Sequence, residues 1–153
     1  MTEIKLKPIG IVRSEAAQPG HRNWDDITAE IVIDEEWTEH LEGLEEFSHI
    51  MVIFWMHKLH REGRPPAKIH PRGRADLPLV GLFATRAPFR PNPIGVSVVK
   101  LVARNGNVLT VQGLDAIDGT PVLDVKSYMT PVDKPEDMRM PDWVAKLRTH
   151  HQT

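Results

Sequence analysis

An alternation of period two runs along one stretch of the chain: Ile27, Ala29, Ile31 and Ile33 are separated by Thr28, Glu30, Val32 and Asp34. That is the pattern of a half-buried β-strand. Segment 4–12 is apolar with a Pro-Ile-Gly interruption and reads as a strand bent at Gly10. Residues 49–56 form an unbroken β-branched and aromatic run, too short for a confident helix, and predict a central strand buried on both faces. Further strands are predicted over 79–84, 95–103, 108–114 and 122–128, divided by Pro-Asn-Pro, Asn-Gly-Asn and Asp-Gly-Thr-Pro turns.

Helical signals are few. Asp34 is placed to cap a short helix over 35–41, with Glu35 and Glu36 at its positive end and Gly43 stopping it. A second short helix is predicted at Pro141-Asp-Trp-Val-Ala-Lys-Leu147, opening on a proline where one is tolerated. Between residues 59 and 77, Pro65, Pro66, Pro71, Gly63 and Gly73 oppose regular structure and predict a long surface loop. Loops of that length are usually functional or disordered. The fold class expected is mainly β: a small β-barrel with short helices and a long Pro/Gly/Arg-rich loop. It forms one domain over 1–153, with its core at about 5–131 and a C-terminal helix at about 141–150.

Composition narrows the chemistry. No apolar run approaches the ~18 residues of a membrane span, and the start lacks the basic and apolar regions of a signal peptide, so a cytoplasmic protein is expected. With no cysteine, disulfides, thiolate ligands and thiol nucleophiles are excluded. Net charge is −2, yet residues 58–90 hold eight Lys and Arg against two acids. One basic stretch on an otherwise acidic body fits either a polyanionic partner or a solvated loop.

Three places can carry chemistry. Gly81-Leu-Phe-Ala-Thr-Arg-Ala-Pro-Phe-Arg-Pro-Asn-Pro-Ile-Gly-Val-Ser97 sets Arg86 and Arg90 among prolines that limit loop freedom, and rigid guanidinium groups suit carboxylates and phosphates. An ordinary proline-rich turn with solvated arginines would read the same way. Leu114-Asp-Ala-Ile-Asp-Gly-Thr-Pro-Val-Leu-Asp124 offers Asp115 and Asp118 as acceptors or bases, or merely a common Asp-Gly hairpin turn. His57 and Lys58 follow the apolar strand and read as strand-end residues facing a cleft. His57 and His60 lack the partners that would make them a convincing metal site. The glycine-rich dinucleotide loop, the phosphate loop, the zincin motif and the serine elbow are all absent.

Pro8-Ile-Gly-Ile-Val-Arg-Ser14, Leu41-Glu-Gly-Leu-Glu-Glu-Phe-Ser-His-Ile50, residues 84–97 and residues 114–128 together resemble the TsaA-like or YaeB-like family, which includes the transfer-RNA methyltransferase O enzymes. The resemblance implies a small β-barrel that binds S-adenosylmethionine, pairs as a homodimer with the site near the subunit interface, and methylates N6 of threonylcarbamoyl-adenosine 37 in the tRNA anticodon arm. By position it implies His57, Lys58, Arg86, Val96, Asp115, Ala116, Ile117 and Asp118 as donor-binding residues. It implies that Arg90 and Asn92 organise the loop and that Tyr128 flanks the cleft. Beside it, the basic loop 58–74, with Arg72 and Arg74, is expected to meet the anticodon arm, Arg90 and Asn92 to touch the substrate, Asp118 or Asp115 to act as base with Tyr128 near, and no metal to take part. The loop 18–24 lacks the Pro-Arg-Gln stretch of longer members, which bears on Arg22 and Asn23, and the extra C-terminal domain of those members is not expected. Other readings are a methyltransferase of a small acceptor, a non-catalytic binding module, or a metal hydrolase using His57, His60 and His70.

Overall fold

A computed structural model describes residues 2–16, 23–59 and 61–149. The strands are β1 (Gly10–Arg13), β2 (Thr28–Ile33), β3 (His49–Trp55), β4 (Lys68–Ile69), β5 (Val80–Gly81), β6 (Ile94–Asn105), β7 (Val108–Gln112) and β8 (Pro121–Ser127), with one helix, α1 (Trp143–Thr149). Six of them close a barrel in the order β1-β2-β7-β6-β3-β8, while β4 and β5 form a separate two-stranded ribbon. All pairings are antiparallel, and β8 returns to β1 through Gly10↔Val122. Closure leaves no barrel edge unpaired.

The alternation read over 27–34 is β2: Ala29, Ile31 and Ile33 are buried. They meet Val12, Ile50, Val52, Leu109, Val111, Leu114 and Val122 in one core. Burial of each such side chain stabilises by about 1.5–3 kcal/mol before ordering costs. Arg104 ties the short turn Leu44–Glu46 to β6 through two bonds to Glu45, of 3.0 and 3.2 Å.

Several expectations are corrected. β1 begins only at Gly10, which is not a bend; a Cβ there would meet the Val32 carbonyl oxygen at 2.4 Å, so glycine is required by the closeness of β2. β3 is not buried on both faces: Ile50, Val52 and Phe54 point inward, and His49, Met51, Ile53 and Trp55 lie partly or fully outside. The predicted strand 79–84 is only the two residues of β5 followed by a 3₁₀ turn, Leu82–Ala84. The capped helix at 35–41 is a 3₁₀ helix, and Asp34 makes no side-chain cap. The long loop 59–77 is partly structured, holding β4 and the 3₁₀ turn Pro71–Gly73.

Candidate functional site

β3 brings the chain to one mouth of the barrel, where it turns sharply. The amide of Met56 donates to Pro93 O at 2.8 Å, that of His57 to Trp55 O at 2.9 Å, and that of Leu59 to Met56 O at 3.1 Å. His57 and Lys58 therefore sit on a fixed turn. A register shift between Ile53 and Phe54 falls one step earlier, and such bulges re-aim side chains next to sites.

The second wall follows β7. Leu114 and Ala116 are buried, which anchors the backbone on either side of the exposed Asp115. The turn beyond is fastened to the end of β1: Asp118 N donates to Ala16 O at 2.7 Å and Gly119 N to Val12 O at 2.8 Å. The buried Thr120 hydroxyl closes the turn on Ile117 O at 2.7 Å.

The third wall is the loop 85–93. Arg90 donates to Thr85 O at 3.0 Å and to Ala87 O at 3.1 Å, and its guanidinium lies 5.6 Å from the Phe83 ring centre. Arg90 therefore organises the loop from within. Arg86, by contrast, has no hydrogen-bond or ion-pair partner among the described residues.

These walls enclose a cleft of two lobes. One, about 210 Å³, is lined by Trp24, His57, Lys58, Ala116, Ile117 and Thr120. The other, about 310 Å³, is lined by Thr85, Arg90, Ile94, Gly95 and Val96. Phe54, Met56, Arg86 and Asp115 belong to both. The cleft thus offers apolar surface, a guanidinium without a partner among the described residues, and a carboxylate at the junction of the lobes. The Ser97 hydroxyl, on β6, donates to that carboxylate.

His57 is tuned toward its neutral form. Loss of hydration lowers its pKa, and the neighbouring Lys58 charge adds to this, against a smaller opposing effect of the Trp55 carbonyl. Its Nδ1 is shielded from water without a hydrogen-bond partner among the described residues.

Of the residues expected from sequence, His57, Lys58, Arg86, Asp115, Ala116 and Ile117 converge on the first lobe, and Val96 and Arg90 on the second. Others go elsewhere. Asp118 accepts from Ser14 N at 3.0 Å and lines a separate hollow with Arg13, Glu15 and Glu30. Tyr128 packs against His49, ring centres 6.4 Å apart, at the opposite end of β3. Five residue steps separate that end from Phe54, roughly 16 Å along the strand. Asn92 lines an apolar groove with Ile4, Leu6 and Trp55, among whose lining residues no titratable group occurs.

Arg72 and Arg74 hold α1: Arg72 donates to Leu147 O at 3.0 Å and Arg74 to Lys146 O at 2.8 Å, with Asp76 paired to Arg74 at 2.6 Å. His70 Nδ1 donates to Leu77 O at 2.8 Å. His60 and residues 17–22, with Arg22, lie outside the described residues. Among the described residues no three His, Asp or Glu are grouped to hold a metal ion. Sequence reasoning passed over Trp24, Phe54, Thr120 and Ser97. Only Ser97 and Thr120 lay inside stretches already marked as specific.

Known proteins resemble this chain in sequence and in fold. The family model described as tRNA-methyltransferase O N-terminal domain matches residues 13–134. An Archaeoglobus fulgidus protein named S-adenosyl-L-methionine-binding protein is 38% identical over 135 residues, covering 84% of this chain and 91% of its own. A mouse tRNA (adenine(37)-N6)-methyltransferase is 42% identical over 112 residues, covering 73% of this chain and 26% of its own. The crystal structure of TrmO from P. aeruginosa has a TM-score of 0.74 at 30% identity, with 93% of this chain and 62% of that chain covered. This chain therefore spans less than two thirds of the solved TrmO chain. It belongs to the tRNA-methyltransferase O N-terminal domain family.

Proposed function

We propose that the two-lobed cleft binds S-adenosylmethionine and that the chain transfers its methyl group to N6 of threonylcarbamoyl-adenosine 37 in tRNA. The observation that carries this reading is the junction: Arg86, unpaired among the described residues, and Asp115, a carboxylate, stand where the two lobes meet. A reaction between two bound molecules needs such a shared wall. The names of the mouse and archaeal relatives support the donor and the acceptor class.

The residues present suit the donor. Phe54, Met56 and Ile117 provide apolar surface for a nucleoside and a thioether chain, and Arg86 provides a two-pronged cation for a carboxylate. The cleft as a whole falls in the size range of small-molecule sites, about 300–1,000 Å³. When bound, S-adenosylmethionine supplies an electrophilic methyl group on a sulfonium. Methylation forms one N–C bond, breaks one S–C bond and releases the N6 proton, which Asp115 is placed to accept. His57, Lys58, Ala116 and Ile117 line the lobe we assign to the donor.

The exposed Arg61, Arg64 and Lys68 supply the cations for the anticodon arm, whose binding then weakens steeply with salt. Arg72 and Arg74 are already committed to α1. Pairing of two copies is supported by Val96, Val98 and Val102, about half exposed on the outer face of β6. No helix among the described residues is long and apolar enough to cross a membrane, and a tRNA substrate supports a cytoplasmic location.

Calorimetric titration with S-adenosylmethionine tests the reading. Saturable binding is expected, weakened about tenfold or more by Arg86→Ala, since a charge-assisted bond is worth about 1.5–3 kcal/mol. ATP is expected not to bind at this site. Absence of saturable S-adenosylmethionine binding would overturn the assignment.

A further inference from the structure

We propose that Ser97 is a positioning residue, which holds one carboxylate oxygen of Asp115 so that the other faces the cleft as the acceptor of the proton released during methyl transfer. The inference rests on the functional reading above and concerns a residue to which neither the family resemblance nor the relatives' names gives a role.

Asp115 is bounded by Leu114 and Ala116, both buried, so its backbone is fixed while its side chain stands at the exposed rim of the mouth. Only contacts to the carboxylate can then decide where it points. The Ser97 hydroxyl is that contact: it donates to Asp115 Oδ1, and among the described residues no cation pairs with this carboxylate. A hydroxyl bonded this way takes up one oxygen and leaves Oδ2 to accept from a ligand.

Ser97 is itself held on a firm base. It lies on β6 directly opposite Val52 of β3, a fully buried residue, and two positions before the buried Val99. Two positions before it on β6 stands Gly95, which lines the second lobe together with Asp115. The pair therefore joins two separate walls of the cleft, β6 and the segment after β7, across 18 residues of sequence. Without the hydroxyl, Asp115 retains its backbone place and loses its orientation. Misplacement of a reacting group by about 1 Å can cost on the order of 10²-fold in rate, so a loss of about tenfold to a hundredfold is expected.

The test compares wild type, Ser97→Ala, Ser97→Thr, Asp115→Asn and the double variant Ser97→Ala/Asp115→Asn. Each is assayed for S-adenosylmethionine affinity and for single-turnover methylation of tRNA carrying threonylcarbamoyl-adenosine. Expected is a rate at least about tenfold lower in Ser97→Ala with donor affinity changed less than about twofold, recovery in Ser97→Thr, and no further loss when Ser97→Ala is added to Asp115→Asn. A rate in Ser97→Ala within twofold of wild type, or a loss that adds in full to that of Asp115→Asn, would overturn the proposal.

A second readout needs no ligand. The carboxyl carbon resonance of Asp115 in the free protein is expected to move in Ser97→Ala and to stay in place in Ser97→Thr; an unmoved resonance in Ser97→Ala refutes the contact itself. If wild type neither binds the donor nor methylates the tRNA, the functional reading fails, and the resonance separately decides whether the Ser97–Asp115 link exists.

Discussion

Replacing Gly95 by alanine should damage stability and site together, because the Phe54 ring already fills the space a side chain would need. A Cβ at Gly95 would lie 2.5 Å from both Cε2 and Cζ of Phe54, and 3.2 Å from Cδ2. Carbon atoms prefer about 3.5–4.0 Å, so the ring must retreat by roughly 1 Å. Phe54 is 3% exposed and sits directly opposite Gly95 in the β3–β6 register. One way out pushes the ring into the core, where overpacking costs about 1–3 kcal/mol. The other pushes it into the cleft, both of whose lobes it lines. At this chain length each kcal/mol lowers the melting midpoint by about 2–4 °C. Thermal unfolding of Gly95→Ala should therefore drop by about 2–12 °C, and calorimetry should show weakened S-adenosylmethionine binding. The double variant Gly95→Ala/Phe54→Leu should recover part of the binding loss. An alanine variant with unchanged midpoint and unchanged affinity would refute the packing argument.

Other outcomes follow from the same coordinates. Gly10→Ala faces a backbone oxygen rather than a movable side chain, the Val32 carbonyl at 2.4 Å, so β1 must separate from β2. Chemical denaturation should show a loss above about 3 kcal/mol, and a loss under 1 kcal/mol would contradict the close approach. Arg86→Ala and Arg90→Ala should differ in kind. Arg86→Ala weakens ligand binding with little change in melting midpoint, whereas Arg90→Ala lowers the midpoint because Thr85 and Ala87 lose their donor; identical effects on both would refute the distinction.

His57 has a folded pKa below its ordinary value of 6.5, so between those two values the unfolded chain binds more protons and stability rises with pH. Its contribution is present above pH 6.5 and is lost as pH falls through the folded pKa. Urea midpoints over about pH 5–7 should slope less steeply in His57→Gln, and an unchanged slope would show that His57 does not titrate differently on folding.

The barrel was largely legible because its strands carry period-two or β-branched runs between turn residues. β3 misled because its outer face is apolar too: Met51, Ile53 and Trp55 stand partly outside beside Val96 and Val98 of β6. Composition cannot separate a strand buried on both faces from one with a sticky exterior. The segment 4–8 misled for a different reason: it carries Ile4 and Leu6 without a ladder pair in the barrel, and only at Ile9, whose amide donates to Val122 O at 2.8 Å, does the chain join β8. At the cleft, His57, Lys58, Arg86 and Asp115 were readable as strand-end and loop residues, and the structure brings them to one lobe. The two aspartates of one turn were not separable, because the direction of Asp118 is set by the amide of Ser14, 104 residues away. Arg72 and Arg74 looked like a surface for polyanions, and their commitment to carbonyls 75 and 72 residues further on is invisible to any local reading.

The most direct test of methyl transfer at this cleft is mass spectrometry of nucleosides from tRNA incubated with the protein and S-adenosylmethionine, using tRNA with and without the threonylcarbamoyl group. The account predicts that threonylcarbamoyl-adenosine gains the mass of one methyl group, that plain adenosine at the same position does not, and that Arg86→Ala suppresses the gain. Donor binding without methylation of the modified tRNA, or equal methylation of both tRNAs, would contradict it.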